Sequence, residues 1–228
     1  MPREPSEESG VSAPGEARLI APLRRGLPRG PVGTRRRLEL AALEASGETG
    51  YRQLTVQRIL DRAGVSRNSF YRAFTGKAEC YAAGYAVAME QLEKEILRAC
   101  SDAEQWLGGL RASLDILTEL IESEPNLAKG LLAEVHVAGG AAMAKRKEVF
   151  ERLSRAIDTA RRENESRHSP PPIAASFILN AIETMVVKTL AHERPEAFAA
   201  IVPELVHVAA AVYFGDDGTT AEDGGSGR

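Results

Sequence analysis

The stretch from Thr55 to Lys77, TVQRILDRAGVSRNSFYRAFTGK, concentrates side chains that suit the reading of a polyanion. Arg67, Asn68, Ser69, Tyr71 and Arg72 fall within two turns of a prospective helix. An arginine fork pairs with guanine through two parallel hydrogen bonds, and an asparagine amide does the same with adenine. Hydroxyl groups reach base edges or phosphate oxygens. Thr55, Ser66 and Lys77 frame these residues, and the run Arg35, Arg36, Arg37 lies upstream as further candidate phosphate contacts. The residue types that enzymes need are not brought together. There is no Gly-rich phosphate loop or nucleophile elbow, and the four histidines are scattered. Glu134 and His136 are two apart and do not share a helical face. His192-Glu193 lacks the second histidine of a zinc-protease motif. No catalytic residue, metal site or cofactor is assigned.

The elements that must carry these side chains are helical. Apolar residues recur at three- and four-residue spacing through most of the chain, and no run alternates as a strand would. The expected fold is all-α, with helices at about 34–49, a short one after Thr55, another after Ser66, then 77–99, 103–123, 125–137, 141–163, 172–191 and 195–214. Gly47 and Gly50 mark the end of the first helix. Thr55 caps the second, whose apolar face is Val56, Ile59, Leu60 and Ala63. Gly64 breaks it, Ser66 caps the third, and Gly76 breaks that one in turn. Pro125, Pro172 and Pro195 sit where first-turn prolines belong. Ile59, Val65 and Phe70 can hold the second and third helices together from inside. Phe74 reads as core, while Tyr71 is equally suited to core or surface. Arg58 and Arg62 read as a solvated face.

Charge divides the chain. The whole carries −3, yet the block from Arg24 to Lys77 carries +8 and the residues after it −9. A basic block followed by an acidic body fits a polyanion-binding module joined to a body that does not bind polyanions.

With its short helices joined by Ala63-Gly64-Val65-Ser66, the chain resembles the TetR family of bacterial transcriptional regulators between Arg35 and Tyr81. The resemblance also includes Gly50-Tyr51, Leu54-Thr55-Val56, Phe70-Tyr71 followed by Phe74, and Lys77 followed by Glu79. It implies a nine-helix TetR-like fold with an N-terminal helix-turn-helix of three helices and a divergent helical regulatory domain. It also implies a homodimer that binds double-stranded DNA, a near-palindromic operator, and release by a small-molecule effector. Carried onto this chain, base reading falls to Arg67, Asn68, Ser69 and Arg72, with Tyr71 on a base or phosphate. Phosphate contacts fall to Thr55, Lys77 and the arginines at 35–37, and Ser66 is a further DNA-binding residue. Leu60 departs from the family pattern, which usually has alanine there, and Ala73 replaces a commonly bulkier or polar residue.

The domains expected are an N-terminal arm (1–30), the helix-turn-helix domain (31–78), a helical regulatory and dimerisation domain (79–214) and a tail (215–228). Arg24, Arg25 and Arg29 in the arm are either idle charges or phosphate followers. In the regulatory domain, Trp106, Leu117, Leu131, His136, Met143, Phe150 and Met185 are candidate linings of a pocket for a small apolar or amphipathic effector. Phe177, Ile178, Ala181, Ile182, Met185, Phe198, Ile201, Leu205, Val208 and Val212 form broad apolar faces. By resemblance these make a four-helix dimer interface; on periodicity alone they serve equally as core. Cys80 and Cys100 are too few for a disulfide framework. No run was expected to approach the ~20 apolar residues of a membrane span, and a cytoplasmic location follows from that expectation. The competing reading is a DNA-binding regulator or architectural protein without a small ligand, controlled by a protein partner or by abundance.

Overall fold

The structure is a computed structural model. It describes residues 30–214 except 104, 164–169, 193 and 195, with the side chains of 160–163 also outside the description. The expected arm with Arg24, Arg25 and Arg29, the proline at 195 and the tail from 215 lie outside the described residues.

Among the described residues there are ten α-helices and no strand: α1 (Pro31–Thr49), α2 (Val56–Ala63), α3 (Arg67–Ala73), α4 (Lys77–Asp102), α5 (Trp106–Ser123), α6 (Pro125–Leu132), α7 (Val135–Ala138), α8 (Gly140–Glu163), α9 (Ala174–Ala191) and α10 (Glu196–Phe214). A 3-10 turn, Tyr51–Gln53, joins α1 to α2. The caps act as their sequence implies. Thr55 accepts a hydrogen bond from the Arg58 N–H at 3.2 Å, and Ser66 accepts one from the Ser69 N–H at 3.2 Å. Gly64 ends α2 in the left-handed region, with φ of 62°. Pro125 stands in the first turn of α6, whereas Pro172 precedes α9, which begins two residues later.

One predicted helix is two. The segment expected as 125–137 breaks at Ala133-Glu134, giving ten helices where the resemblance implied nine. The N–H groups of Ala133 and Glu134 share the Lys129 carbonyl, each at 3.0 Å. This wider closing turn sets Glu134 to the side, where its carboxylate accepts the Tyr51 N–H at 2.7 Å. A long-range hydrogen bond thus accompanies the interruption of the helix.

Gly47 does not end α1, which runs on to Thr49. A Cβ on Gly47 would sit 1.8 Å from the Asn126 carbonyl oxygen, and one on Gly130 would sit 2.0 Å from the Leu43 carbonyl oxygen. The backbones of α1 and α6 therefore meet reciprocally through two glycines, closer than side chains would permit. Around this seam Leu38, Ala41, Ala42, Leu43 and Ala45 of α1 join the buried core with Tyr81, Leu127 and Leu131. Burial of each large apolar side chain contributes about 1.5–3 kcal/mol. Most of this fold is thus held by one continuous core that passes under the short N-terminal helices and on into the long ones.

The expectation about membrane spans needs amending. α9 and α10 are both long enough and apolar enough by composition to cross a membrane. Here they pack within the helical body: Ile178, Ile182 and Val186 of α9 and Phe198, Val202, Val206 and Ala209 of α10 are buried in the common core.

Candidate functional site

The short helices α2 and α3 are fixed from beneath by Ile59, Leu60 and Phe70, all buried, with Val65 half-buried between them. Burial of Phe70 and Phe74 fixes which face of α3 looks outward. Asn68, Tyr71 and Arg72 are exposed, Tyr71 at 54%, and Ser69 is half-buried. Arg67 is also exposed, and its guanidinium donates to the Gln57 side-chain oxygen at 2.8 Å. That bond holds the arginine against α2, presenting its remaining N–H groups from a restrained position. The Tyr71 ring meets Phe70 edge to face, with centroids 5.3 Å apart. Arg62 on α2 bridges back to Glu44 at 3.2 Å and to Glu48, so this part of the basic block is neutralised within the fold.

The other basic candidates have internal employment. Arg35 pairs with Glu39 at 3.0 Å, donates to the Ala73 carbonyl at 3.0 Å and lies 4.3 Å over the Phe74 ring. It therefore latches α1 to the end of α3. Arg36 takes the other oxygen of the buried Glu39 at 2.9 Å, and Arg37 donates to the Thr34 hydroxyl at 3.2 Å. Each guanidinium has five N–H groups, so none is exhausted by these bonds. The Lys77 ammonium is more fully committed. It donates to the carbonyls of Leu54 at 2.7 Å, Tyr51 at 3.2 Å and Arg52 at 3.4 Å, closing the end of the 3-10 turn. Glu79 accepts both the N–H and the hydroxyl of Thr75 at 2.7 Å. These hydrogen bonds hold its carboxyl below the ordinary carboxylate range.

A second feature lies in the body. A cleft of about 710 Å³ opens among α4, α5, α8 and α9, and Trp106, Cys100, Gln105 and Arg155 are among its lining residues. Of the residues expected to line a pocket, Trp106 and Leu117 line this cleft, and Leu117, Leu131 and Phe150 line a smaller chamber beyond it. His136, Met143 and Met185 line neither. The His136 side chain is exposed, with Nε2 3.3 Å from the Glu183 carboxylate. Met143 and Met185 are half-buried; Met143 lies two helical turns before Phe150, short of the chamber, and Met185 lies to one side of the face formed by Leu179, Ile182, Glu183 and Val186. The cavity wall on α9 is Leu179, Ile182, Glu183 and Val186, whose spacing is that of one helical face.

The apolar faces of α9 and α10 divide. Ile178, Ile182 and Phe198 are buried within this chain, and Ala181, Met185, Ile201, Leu205 and Val212 are half-buried. Phe177 and Val208 are exposed at 57% and 50%. Trp106 packs on Tyr213 and Phe214 with ring centroids 4.8 and 5.6 Å apart, tying the start of α5 to the end of α10.

Residues 40–83 match the family model of bacterial regulatory proteins, tetR family. The N-terminal domain is of the TetR type. No curated protein sequence matches the chain. The fold is similar to that of the fatty acid degradation regulator FadR from Bacillus halodurans, at 16% identity and a TM-score of 0.69, covering 80% of this chain and 96% of that one. It is also similar to FadR from Bacillus subtilis, solved in complex with stearoyl-CoA, at 18% identity and a TM-score of 0.67, covering 78% and 97%. A TetR-family regulator from Pectobacterium atrosepticum is 21% identical with a TM-score of 0.63, covering 80% and 95%. At these identities the likeness establishes a common fold.

The TetR-type match begins at Leu40 and so leaves the arginines at 35–37 to be judged by geometry alone. Several cavity residues lie outside the set expected from the sequence, although their spacing is legible in it. Tyr85, Met89, Leu92 and Ile96 recur along one face of α4 and form one wall of the inner chamber. Their signal in the sequence is the three- and four-residue period rather than the residue type.

Proposed function

We propose that this chain is a sequence-specific DNA-binding regulator that acts as a homodimer and leaves a near-palindromic operator when an amphipathic effector enters the body. The observation that carries the reading is the orientation of α3. Phe70, and Phe74 just beyond its end, are locked inside while Asn68, Tyr71 and Arg72 stand outside, beside a restrained Arg67. A helix so loaded enters a major groove with its N-terminal residues on base edges. Arg67 and Asn68 are the proposed base readers, with Ser69 and Arg72 beside them and Tyr71 on a base or the backbone. Thr55, Ser66, Arg36 and Arg37 are the proposed phosphate contacts. Arg35 and Lys77 act through the α1–α3 latch and the 3-10 turn, which hold α3 at its angle.

Two copies are needed to place two such helices ~34 Å apart in successive grooves. The exposed Phe177 and Val208, flanked by the half-buried Ala181, Met185, Ile201, Leu205 and Val212, are the proposed pairing surface. The cleft among α4, α5, α8 and α9 is the proposed effector site, since a largely apolar cavity with a few polar groups is the usual form of such sites. Its occupant is proposed as an amphipathic small molecule, a class to which the stearoyl-CoA of the Bacillus subtilis FadR complex belongs.

The experiment is selection of random duplex DNA by the purified full-length protein, then titration of the winner at two salt concentrations. A two-fold-symmetric winner whose affinity falls steeply with salt is the expected result. Arg67→Ala is expected to cost about 1–3 kcal/mol on that sequence and to relax the preference at one position in each half-site. Failure to enrich any sequence would overturn the reading.

A further inference from the structure

The cavity is two rooms. The outer cleft of about 710 Å³ and an inner chamber of about 80 Å³ are bounded in common by Ile96, Leu117, Leu153, Leu179 and Ile182, which come from α4, α5, α8 and α9. These apolar side chains form a partition. From Ser101 at the outer end to Tyr85 at the inner end, the lining follows sixteen residues of α4. At a rise of ~1.5 Å per residue, the two rooms extend along about 24 Å of helix. Such a shape suits a linear chain better than a compact ring system.

Polarity fixes the direction. The inner chamber has two carboxylates in its wall, and neither is free. Arg152 donates twice to Glu93, at 2.5 and 2.6 Å, and Arg146 donates to both oxygens of Glu183. With those charges satisfied, the inner room offers a ligand an almost wholly apolar surface. Arg155, exposed, is the one charged residue among the described residues that line the outer cleft. An anionic head at Arg155 with an alkyl chain directed inward satisfies both ends.

The inner room ends on the connection to the N-terminal domain. Tyr85 stacks on Tyr81 with ring centroids 6.3 Å apart, and the Tyr81 hydroxyl donates to the Gly130 carbonyl at 2.8 Å. The Tyr81 ring also meets Tyr51 of the 3-10 turn edge to face at 4.9 Å. A volume of 80 Å³ is about half that of an engineered apolar cavity, ~150 Å³, that admits one benzene. An alkyl end therefore enters only if the partition parts and Tyr85 yields. We propose that the partition makes this site a length gauge: a linear anionic amphiphile that ends in the outer cleft binds without releasing DNA, and one long enough to cross the partition displaces Tyr85 and releases it. Binding and release are separated because only the longer chain has a different affinity for the two states of the protein.

The inference rests on the reading of the chain as an effector-released DNA-binding protein, and the test separates the two. The full-length protein is titrated with straight-chain saturated acyl-CoA thioesters from hexanoyl to stearoyl. Affinity is read by calorimetry and operator release by fluorescence anisotropy at saturating ligand. Affinity is expected to rise about fourfold per methylene through the short chains. Release is expected to be absent for those chains despite full occupancy and to begin abruptly at a threshold length. Leu179→Phe, which thickens the partition, is expected to keep short-chain binding and raise the threshold. Release in proportion to occupancy at every length would overturn the gauge and leave the effector reading intact. Absence of binding at any length would overturn the gauge, and the selected operator then decides the DNA-binding reading on its own. The series on the unaltered protein needs no variant to fold.

Discussion

Replacement of Gly130 by alanine tests whether α1 and α6 are joined backbone to backbone. The new Cβ would lie 2.0 Å from the Leu43 carbonyl oxygen and 2.9 Å from the Ser46 hydroxyl. Ordinary contact begins near 3.4 Å, so the helices must part by about 1.4 Å at this point. The obstacle is a carbonyl inside a helix, and no rotamer change relieves it. Overpacking of this kind costs about 1–3 kcal/mol or more. Alanine's better helix propensity returns about 1 kcal/mol. A net loss of about 2 kcal/mol corresponds to a fall in Tm of about 4–8 °C for a chain of this size. The control is Gly108→Ala, whose nearest neighbour is the Ala103 Cβ at 3.8 Å and which should be neutral or slightly stabilising. Thermal unfolding followed by circular dichroism, with operator titration on the same samples, gives both readings. Operator affinity should fall as well, since Arg35 ties α1 to the end of α3 and the shift is passed on. A Gly130→Ala protein as stable as the Gly108→Ala control would refute the seam.

Three further outcomes are expected. Lys77→Met removes the donor shared by the carbonyls of Tyr51, Arg52 and Leu54 and should cost about 1.5–3 kcal/mol of stability while leaving the salt slope of operator binding unchanged; a slope reduced by about one would instead assign Lys77 to a phosphate. Stability should decline as the solution is made alkaline. Burial pushes the Cys80 thiol from 9.0 up to about 12 and raises the Tyr81 and Tyr85 hydroxyls, so the unfolded chain loses these protons first and gains stability from about pH 9 upward; a flat urea midpoint between pH 8 and pH 10.5 would contradict this burial. Phe177→Glu combined with Val208→Glu should turn a dimer into a monomer in sedimentation without unfolding it, and an unchanged dimer would move the interface elsewhere.

What could be read in the sequence was local. Thr55, Ser66 and Gly64 announce the short helices because a cap or a left-handed turn is decided by the residue and its near neighbours. Phe70 and Phe74 could be placed inside by spacing. Gly47 was legible as a helix breaker, and its actual use depends on Asn126, which packs against it from a distant part of the chain. Glu134 carried no local mark of its bond to the Tyr51 N–H, and so the division of α6 from α7 was hidden. The pocket suffered in the same way. His136 and Met185 have the residue types of a ligand site, but a cavity is defined by which faces converge. On α9 that face belongs to Leu179, Ile182 and Glu183.

The apolar character of α9 and α10 bears on the chain before it has folded. Each helix is long and apolar enough to be mistaken for a membrane span as it leaves the ribosome. Each also carries a carboxylate near its middle, Glu183 in α9 and Glu204 in α10, and α10 has Pro203 beside it. An ionised group at the centre of an inserting helix raises the cost of insertion by about 2.5–3.5 kcal/mol. Besides pairing with Arg146, Glu183, and likewise Glu204, makes its segment costlier to lodge in lipid, a safeguard while the chain is still unfolded. Glu183→Leu together with Glu204→Leu should send nascent chains to the membrane fraction, and recovery of this variant wholly outside that fraction would dismiss the safeguard.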